Sequence, residues 1–345
     1  MINMTNMTNN GDHNLKFYPE NAITTVKELD KAWNERRGVF NIYRDKEMPE
    51  ATLPKKIESK SKEHALYLTY VSSLNYRTSS DLLFERMRGL YDAQPYMFKP
   101  SYVRKINESE TKEFTDQIRH FENTAPGRWQ YNSEMMKRWD DDPRNILKVA
   151  NYKCHNDVPA IVAQNEVRLL KGFQYKQSSL LLYWFYKYGI GDMGEIDITD
   201  LNIPVDLHVK RISISRDIVT FDGQINEHRL EKFLREEYVK LFKENRDLDS
   251  FRFQEQLWIL GSQGCTEQEV CRSRCAFDTE CKKTMLQQKI SYMYRKKYNK
   301  INGIIEIIDK PPAYGTLDNW GFDCGKLRPK KTKSRKKSNI ETRIV

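Results

Sequence analysis

Cys265, Cys271, Cys275 and Cys281 fall within seventeen residues of this chain, spaced C-x5-C-x3-C-x5-C. No other feature restricts the fold as tightly, because four thiolates that close can wrap one metal centre, and a loop so wrapped has lost most of its freedom. The N-terminus, MINMTNMTNNGDHN, has neither the basic start nor the apolar run of a secretory signal, so the sequence predicts an intracellular protein whose Asn-x-Thr triplets carry no glycan. Disulfides are disfavoured in that compartment, which leaves metal binding as the better reading. Structural zinc sites use C-x2-4-C pairs on tight knuckles, and no such pair opens this run. Four loop cysteines without paired knuckles suit an iron–sulfur cubane, whose irons accept one thiolate each. Zinc stays as the alternative, with a chance cluster of buried thiols behind both. Cys154 and Cys324 lie outside the run and are expected to be ordinary buried or free thiols.

Charge and composition narrow the rest. With 39% hydrophobic and 31% charged residues in 345, the balance is that of a soluble globular chain of one or two domains. The longest unbroken apolar stretch, 180–186, is seven residues, far from the roughly 18 to 20 that cross a bilayer, so no membrane partner is expected. The formal net charge is +10, yet residues 326–345 hold nine Lys or Arg against one Glu, so +8 sits in that tail and about +2 in the body. Bulk basicity therefore makes no case for nucleic acid. The tail has almost nothing apolar to offset its ordering entropy and reads as a disordered basic arm, whether solubilising, phosphate-touching or an import signal. Residues 1–13, polar and rich in Asn and Thr, are expected to be disordered as well.

Between these ends the pattern is helical. Thr25 followed by Glu28 has the form of a capping box, with Val26, Leu29 and Ala32 recurring behind it. Ser61 precedes Ala65, Leu66, Leu68 and Tyr70; Ser80 precedes Leu83, Met87, Leu90 and Tyr91. Asp142-Pro143 has the form of an N-cap followed by proline at the first helical position. Further helical stretches are expected at 110–121, 133–139, 159–170, 177–188, 226–243 and 250–260, with one strand-like run at 303–308. The fold class predicted is all-α, in two helical lobes, without an internal repeat.

Two segments carry chemistry besides the cysteines. Leu169-Leu170-Lys171-Gly172-Phe173-Gln174-Tyr175-Lys176 reads as a helix end, a tight turn at glycine and a new helix opening at once. Such a hairpin aims backbone N–H groups outward at a helix N-terminus, a grip on phosphate that ignores sequence. Thirty residues on, Pro204 blocks a helix and Asp206 stands just before a new apolar-periodic stretch, Leu207-His208-Val209-Lys210-Arg211, where it reads as an N-cap that can also serve in catalysis.

In this order the segments resemble the helix-hairpin-helix DNA glycosylases of the endonuclease III class. Their hairpin reads leucine, proline, glycine, apolar, glycine, any residue, lysine, which LKGFQYK follows with Gly172 and Lys176. Their aspartate lies in V-D-x-H-V/I, matched by Val205-Asp206-Leu207-His208-Val209. Their cluster loop is C-x6-C-x2-C-x5-C, with the same overall span and one cysteine moved by one place, and the lead-in LWILGSQGC is similar too. The likeness is specific from about 160 to 281, vague from 61 to 160 and absent after Cys281. There are departures. Gln174 replaces the second hairpin glycine, so a left-handed backbone there would be strained or the turn differently shaped. Lys171 stands where proline is usual. The gap between Lys176 and Asp206 is longer than in familiar members, its extra part near 189–202 being acidic and Gly-containing; an archaeal 8-oxoguanine glycosylase class also has a long gap there.

The resemblance implies a six-helix barrel over 61–198 with the helix-hairpin-helix at 160–188, and a second lobe from 14–60 and 199–325 holding a 4Fe–4S cluster on Cys265, Cys271, Cys275 and Cys281. It implies a base excision repair enzyme on duplex DNA with a damaged or modified base, cytoplasmic and nucleoid-associated, or nuclear in a eukaryote; no obligate protein partner is evident. Asp206 would stabilise the positive charge developing at C1′ once the nucleotide is extruded, and Lys176, as a neutral amine, would attack C1′ to give an imine and β-elimination. Gly172, Phe173, Gln174 and Lys171 would meet the DNA backbone. Asn75, Tyr76 and Arg77 stand about where the family's gap-filling residue lies, turn and capping roles being open as well. His208 is expected to be structural, the aromatic run 183–186 to be core, and Phe173 and Tyr175 either to line the approach to DNA or to pack. A monofunctional or modified-base enzyme of the same fold, and a non-catalytic DNA-binding module stabilised by metal, are the other readings. The base excised and the oligomeric state are not specified by these motifs.

Overall fold

The computed structural model describes residues 15–75, 80–118, 125–154, 157–221, 224–265, 273–277 and 304–306. The segments expected to be disordered, 1–13 and 326–345, lie outside these, as does Cys324. The described chain is predominantly helical: α1 (Pro19–Asn34), α2 (Phe40–Tyr43), α3 (Lys62–Leu74), α4 (Ser80–Ala93), α5 (Pro100–Val103), α6 (Glu108–Asp116), α7 (Ala125–Met135), α8 (Asn145–Lys153), α9 (Pro159–Val167), α10 (Tyr175–Lys187), α11 (Leu207–Ser215), α12 (Glu227–Glu244) and α13 (Ser250–Ile259). Among the described residues no helix is long and apolar enough to cross a membrane.

Side-chain capping explains five helix starts, and two expected starts are corrected. Ser61 caps α3 by accepting the His64 N–H at 3.1 Å, and Asn226 and Asp249 cap α12 and α13 in the same way. Thr25 and Glu28, by contrast, open nothing. α1 starts at Pro19, whose fixed φ suits a first turn, and Thr25 lies mid-helix with its hydroxyl donating back to Asn21 O at 2.7 Å. Glu28 is taken by Arg216, 2.7 Å away. Asp142-Pro143 starts no helix either, because Asp142 accepts from the backbone and guanidinium of Arg144, and α8 opens at Asn145. The stretch expected as one helix at 133–139 straddles the end of α7 and a 3-10 turn, Met136–Trp139. The strand expected at 303–308 is present as β4 (Ile304–Glu306), paired antiparallel with β3 (Gln224–Asn226). The short pair β1 (Lys16–Phe17) and β2 (Val219–Thr220), antiparallel with Lys16 opposite Thr220, gives no alternating run long enough to announce itself.

Two hydrophobic cores organise these helices. In the first, α3 is the pivot: every residue from His64 to Leu74 is buried, so the helix is enclosed on all sides. Around it lie Phe84, Trp129, Leu147, Leu181 and Phe185, and Tyr70 stacks on Trp129 with centroids 4.2 Å apart while sharing a hydrogen bond with Ser133. Each such fully buried large side chain stabilises the fold by about 1.5–3 kcal/mol. The second core joins Ala22, Val26 and Leu29 of α1 to Ile212, Leu234, Tyr238 and Leu257 of α11 to α13. Leu201 belongs to the first core and Ile203 to the second, so the chain crosses between them immediately before Asp206.

The acidic stretch before that crossing is a brace. Ile190, Ile196, Ile198 and Leu201 sink into the first core, while Asp200 meets Lys243 of α12 at 2.8 Å and Asp197 meets Arg246 just beyond α12. At the far end of α10, Lys187 bonds Glu255 of α13 at 3.2 Å and Tyr183 stacks on Phe251 at 4.2 Å. Glu50, on the connection between α2 and α3, is buried beside this pair. Burial pushes its carboxyl up to about 7; its own backbone N–H and Lys187 oppose the rise, and Glu255 adds to it.

Candidate functional site

The turn between α9 and α10 is built around one left-handed residue. Gly172 has φ +91°, and a Cβ placed there would lie 2.3 Å from the carbonyl oxygen of Ser73, near the end of α3. Glycine is therefore required twice, by its conformation and by the close approach of the two backbones. Asn132 of α7 holds the residue before it from both sides, its Nδ2 donating to Lys171 O at 3.0 Å and its Oδ1 accepting Lys171 N–H at 2.8 Å. Gln174, in place of a second glycine, is extended at φ −101° and exposed, so the substitution carries no strain and the turn is differently shaped. Phe173 does not face outward as the hairpin pattern suggests. It is buried in the first core. Lys171 is exposed, its ammonium 4.3 Å from the ring centroid of Tyr131.

Lys176 lies in the first turn of α10, a helix whose N-cap Gln174 supplies no side-chain cap. Its Nζ is 3.8 Å from Asp206 Oδ2, with side chains 39% and 14% exposed respectively. Asp206 is the N-cap of α11, its Oδ1 accepting the Val209 N–H at 3.0 Å. The remaining oxygen is thus the one offered to the lysine. Burial works to raise the Asp206 carboxyl, but the positive charges of His208, Lys176 and Lys210 and the Val209 N–H outweigh it and hold it below the usual carboxylate range. His208 is itself pushed down to about 4, chiefly by burial, against the pull of Asp206. The His208 ring packs on Gly261, where a Cβ would come within 2.4 Å of the His208 Cβ.

α11 also reaches the cysteine segment. Arg211 donates to Cys265 O at 2.8 Å and to Gly261 O at 3.3 Å from within the second core. Cys265 follows a π-helical turn, Leu260–Gly264, that ends α13. Residues 273–277 fold back over it: Val39 N–H donates to Arg274 O at 2.9 Å, Arg274 donates to Gln263 O at 3.4 Å, and a Cβ on Gly38 would meet Cys275 O at 2.2 Å. Cys265 and Cys275 are so carried on two segments closed against one turn. Cys271 and Cys281 lie outside the described residues, and among the described residues no group of three or more His, Cys, Asp or Glu is gathered for a metal.

Other expected residues are dispersed. Asn75 is the C-cap of α3 and accepts the Ser80 hydroxyl at 3.2 Å, while Tyr76 and Arg77 lie outside the described residues. Tyr183, Trp184 and Phe185 are buried, and Tyr186 is exposed. Cys154 donates to Asn151 O at 3.0 Å. Sequence reasoning overlooked Arg168 and Arg235, whose guanidinium carbons lie 3.8 and 4.1 Å from the ring centroid of Tyr175, next to Lys176. It also overlooked Gln164, a buried amide that joins the Tyr175 carbonyl, Ser179 and Asn202. A glutamine among the apolar residues of α9 is the one local signal that pointed there. No protein-family model matches the chain, and no curated protein does.

Proposed function

We propose that the chain is a DNA glycosylase with β-lyase activity, acting on duplex DNA that carries a damaged or modified base. The observation that carries this reading is the Lys176–Asp206 pair: an amine at the start of the hairpin's second helix and a carboxylate held ionised at the start of a helix from the other core. An ionised carboxylate at that place stabilises an oxocarbenium-like sugar, and an amine beside it is set to become covalently bound to C1′. As the bond from Nζ to C1′ forms, the C1′–base bond breaks, and the base leaves with that electron pair and takes up a proton. Opening of the sugar at O4′ converts the aminal to an imine, and loss of a C2′ proton expels the 3′ phosphate. Asp206 is the base within reach of the Lys176 ammonium, 3.8 Å away, and the proton it accepts is the one that passes to the departing base, which returns the carboxylate to its ionised form.

Two further features support the reading. The turn at Gly172 leaves Lys171 and Gln174 exposed beside an uncapped helix start, the arrangement that receives a phosphate. In the finer reading of the fold, α3 is the central member of a six-helix barrel that ends with the hairpin, and the second lobe holds a 4Fe–4S cluster on Cys265, Cys271, Cys275 and Cys281. That group would supply a fixed scaffold for the loop, with Arg211 joining it to the helix that Asp206 caps. Borohydride reduction in the presence of a panel of lesion-bearing duplexes tests the function: a covalent protein–DNA adduct on Lys176 is expected. Base release leaving an intact abasic site, with no adduct, would move the assignment to a monofunctional enzyme, and no release on any lesion would overturn it.

A further inference from the structure

We propose that the ring of Tyr175, clasped between Arg168 and Arg235, is the positioning device that sets Lys176 against Asp206; the inference rests on reading Lys176 as the reacting amine. A phenol face has room for one planar guanidinium at stacking height, so two guanidinium carbons 3.8 and 4.1 Å from the same centroid place one arginine on each face. The two come from different parts of the molecule. Arg168 is the C-cap of α9, on the near side of the turn. Arg235 projects from α12, is 6% exposed and is itself fixed by Glu231 at 2.7 Å. The first residue of α10 is thus held from both cores.

This matters because Gln174 contributes no side-chain cap to that helix, and a helix start without one is prone to fray. Tyr175 is held in two ways. Its ring is held by the arginines, and its carbonyl accepts from Gln164 Nε2 at 3.3 Å and from the hydroxyls of Ser178 and Ser179 at 3.0 and 2.9 Å. Gln164 Oε1 in turn accepts from Asn202 Nδ2 at 3.0 Å, on the strand of chain that leads to Asp206. Ring and carbonyl therefore tie the residue before the lysine to the elements that carry its partner. Tyr175 touches no reacting atom in this scheme; it acts through Lys176.

Three variants separate stacking from packing. Tyr175→Phe keeps the ring, Tyr175→Leu keeps apolar bulk without a π face, and Tyr175→Ala removes both. The first readout does not depend on any enzymatic activity: trace labelling of Lys176 with acetic anhydride, quantified by mass spectrometry against the exposed Lys112 and Lys232. The Phe variant is expected to match wild type. The Leu variant is expected to label at Lys176 faster by about threefold or more, the factor that one modest cation–π interaction is worth. The second readout is single-turnover borohydride trapping on lesion DNA, where the Leu variant is expected to fall by about 10- to 100-fold with the duplex Kd unchanged, as a displaced reacting group would. Unchanged Lys176 labelling in the Leu variant overturns the proposal, and the Leu and Phe pair decides it even where the Ala variant fails to fold. Altered labelling combined with a wild type that traps no adduct on any lesion would sink the glycosylase reading and leave the positioning role standing.

Discussion

Lys176 Nζ stands 3.8 Å from Asp206 Oδ2, although one side chain starts a helix of the first core and the other caps a helix of the second. The two roles of Asp206 divide between its oxygens: Oδ1 is committed to the Val209 N–H, and Oδ2 is the one turned to the lysine. Structure and chemistry at this residue are therefore separable by substitution.

Asp206→Asn retains an N-cap of equal quality and discards the charge, whereas Asp206→Ala discards both. The Asn variant is expected to bind lesion duplex as wild type does and to lose base release by about 10²–10⁴-fold. The Ala variant is expected to lose in addition about 1 kcal/mol of stability, read as a fall of about 2–4 °C in Tm. Because the folded carboxyl titrates below its usual range, its contribution to stability is present above that range and is lost as pH falls through the folded value. Acid denaturation followed by circular dichroism should show a shallower decline for Asp206→Asn than for wild type.

Glu50 has the opposite sign. Its folded carboxyl is raised from 4.5 to about 7, so its stabilising contribution is full below about pH 4.5 and disappears as pH rises through 7. Glu50→Gln is expected to match wild type in urea denaturation at pH 4.5 and to exceed it at pH 8 by on the order of 3 kcal/mol. A Gln variant less stable than wild type at pH 8 would show instead that an ionised Glu50 makes a favourable pair with Lys187.

The glycines give a stability series. Gly172→Ala forces a Cβ into the Ser73 carbonyl at φ +91°, and Gly261→Ala forces one into His208. Each is expected to destabilise by about 1–3 kcal/mol in chemical denaturation. Gly127 of α7, where an added Cβ meets nothing within 4 Å, is the control. Alanine there is expected to stabilise by about 0.4–1 kcal/mol through the unfolded chain.

The proposed cluster has its own signature. Protein purified anaerobically is expected to be brown, and Cys265→Ser to lose the colour together with several degrees of Tm, since a lost thiolate ligand removes the binding energy that the centre adds to the folded state. Colourless wild type with stoichiometric zinc would replace iron with zinc at the same cysteines.

Deleting residues 326–345 removes nine Lys or Arg and one Glu. Nonspecific DNA affinity is expected to weaken and its salt dependence to flatten, by about 0.9 in slope for each phosphate that the tail had neutralised, with adduct formation on lesion DNA unchanged. A titration of Kd against salt, run beside the trapping assay, checks both halves.

What was legible in the chain is what local chemistry determines. Asp206 as an N-cap followed from a proline behind it and an apolar period ahead, and Gly172 as the turn followed from a glycine between two helical patterns. The same grammar misled at Thr25, because a Thr with Glu three residues later also occurs inside a helix, and Pro19, six residues earlier, was the true start. At Phe173 it left DNA contact and packing both open, since an apolar residue in a surface hairpin gives no local hint that its ring turns inward. The Arg168–Tyr175–Arg235 stack joins residues some sixty positions apart across two cores, and no spacing rule reaches that far.

The brace of Asp197 on Arg246 and Asp200 on Lys243 divides the chain between Lys176 and Asp206 into a part held on the first core and a short run that leads to the carboxylate. From Gly191 to Glu195, with both glycines left-handed, the backbone is fastened to α8, Asn151 donating to Met193 O at 3.2 Å and accepting the Glu195 N–H at 3.3 Å. A residue added there disturbs those bonds before it reaches the brace. From Asp200 onward the chain is pinned at both ends, and a residue added there is transmitted to the carboxylate as a shift in reach. The reach of the carboxylate is thereby set most directly by the seven residues from Asp200 to Asp206, while α10 and the buried isoleucines before them fix where that run begins.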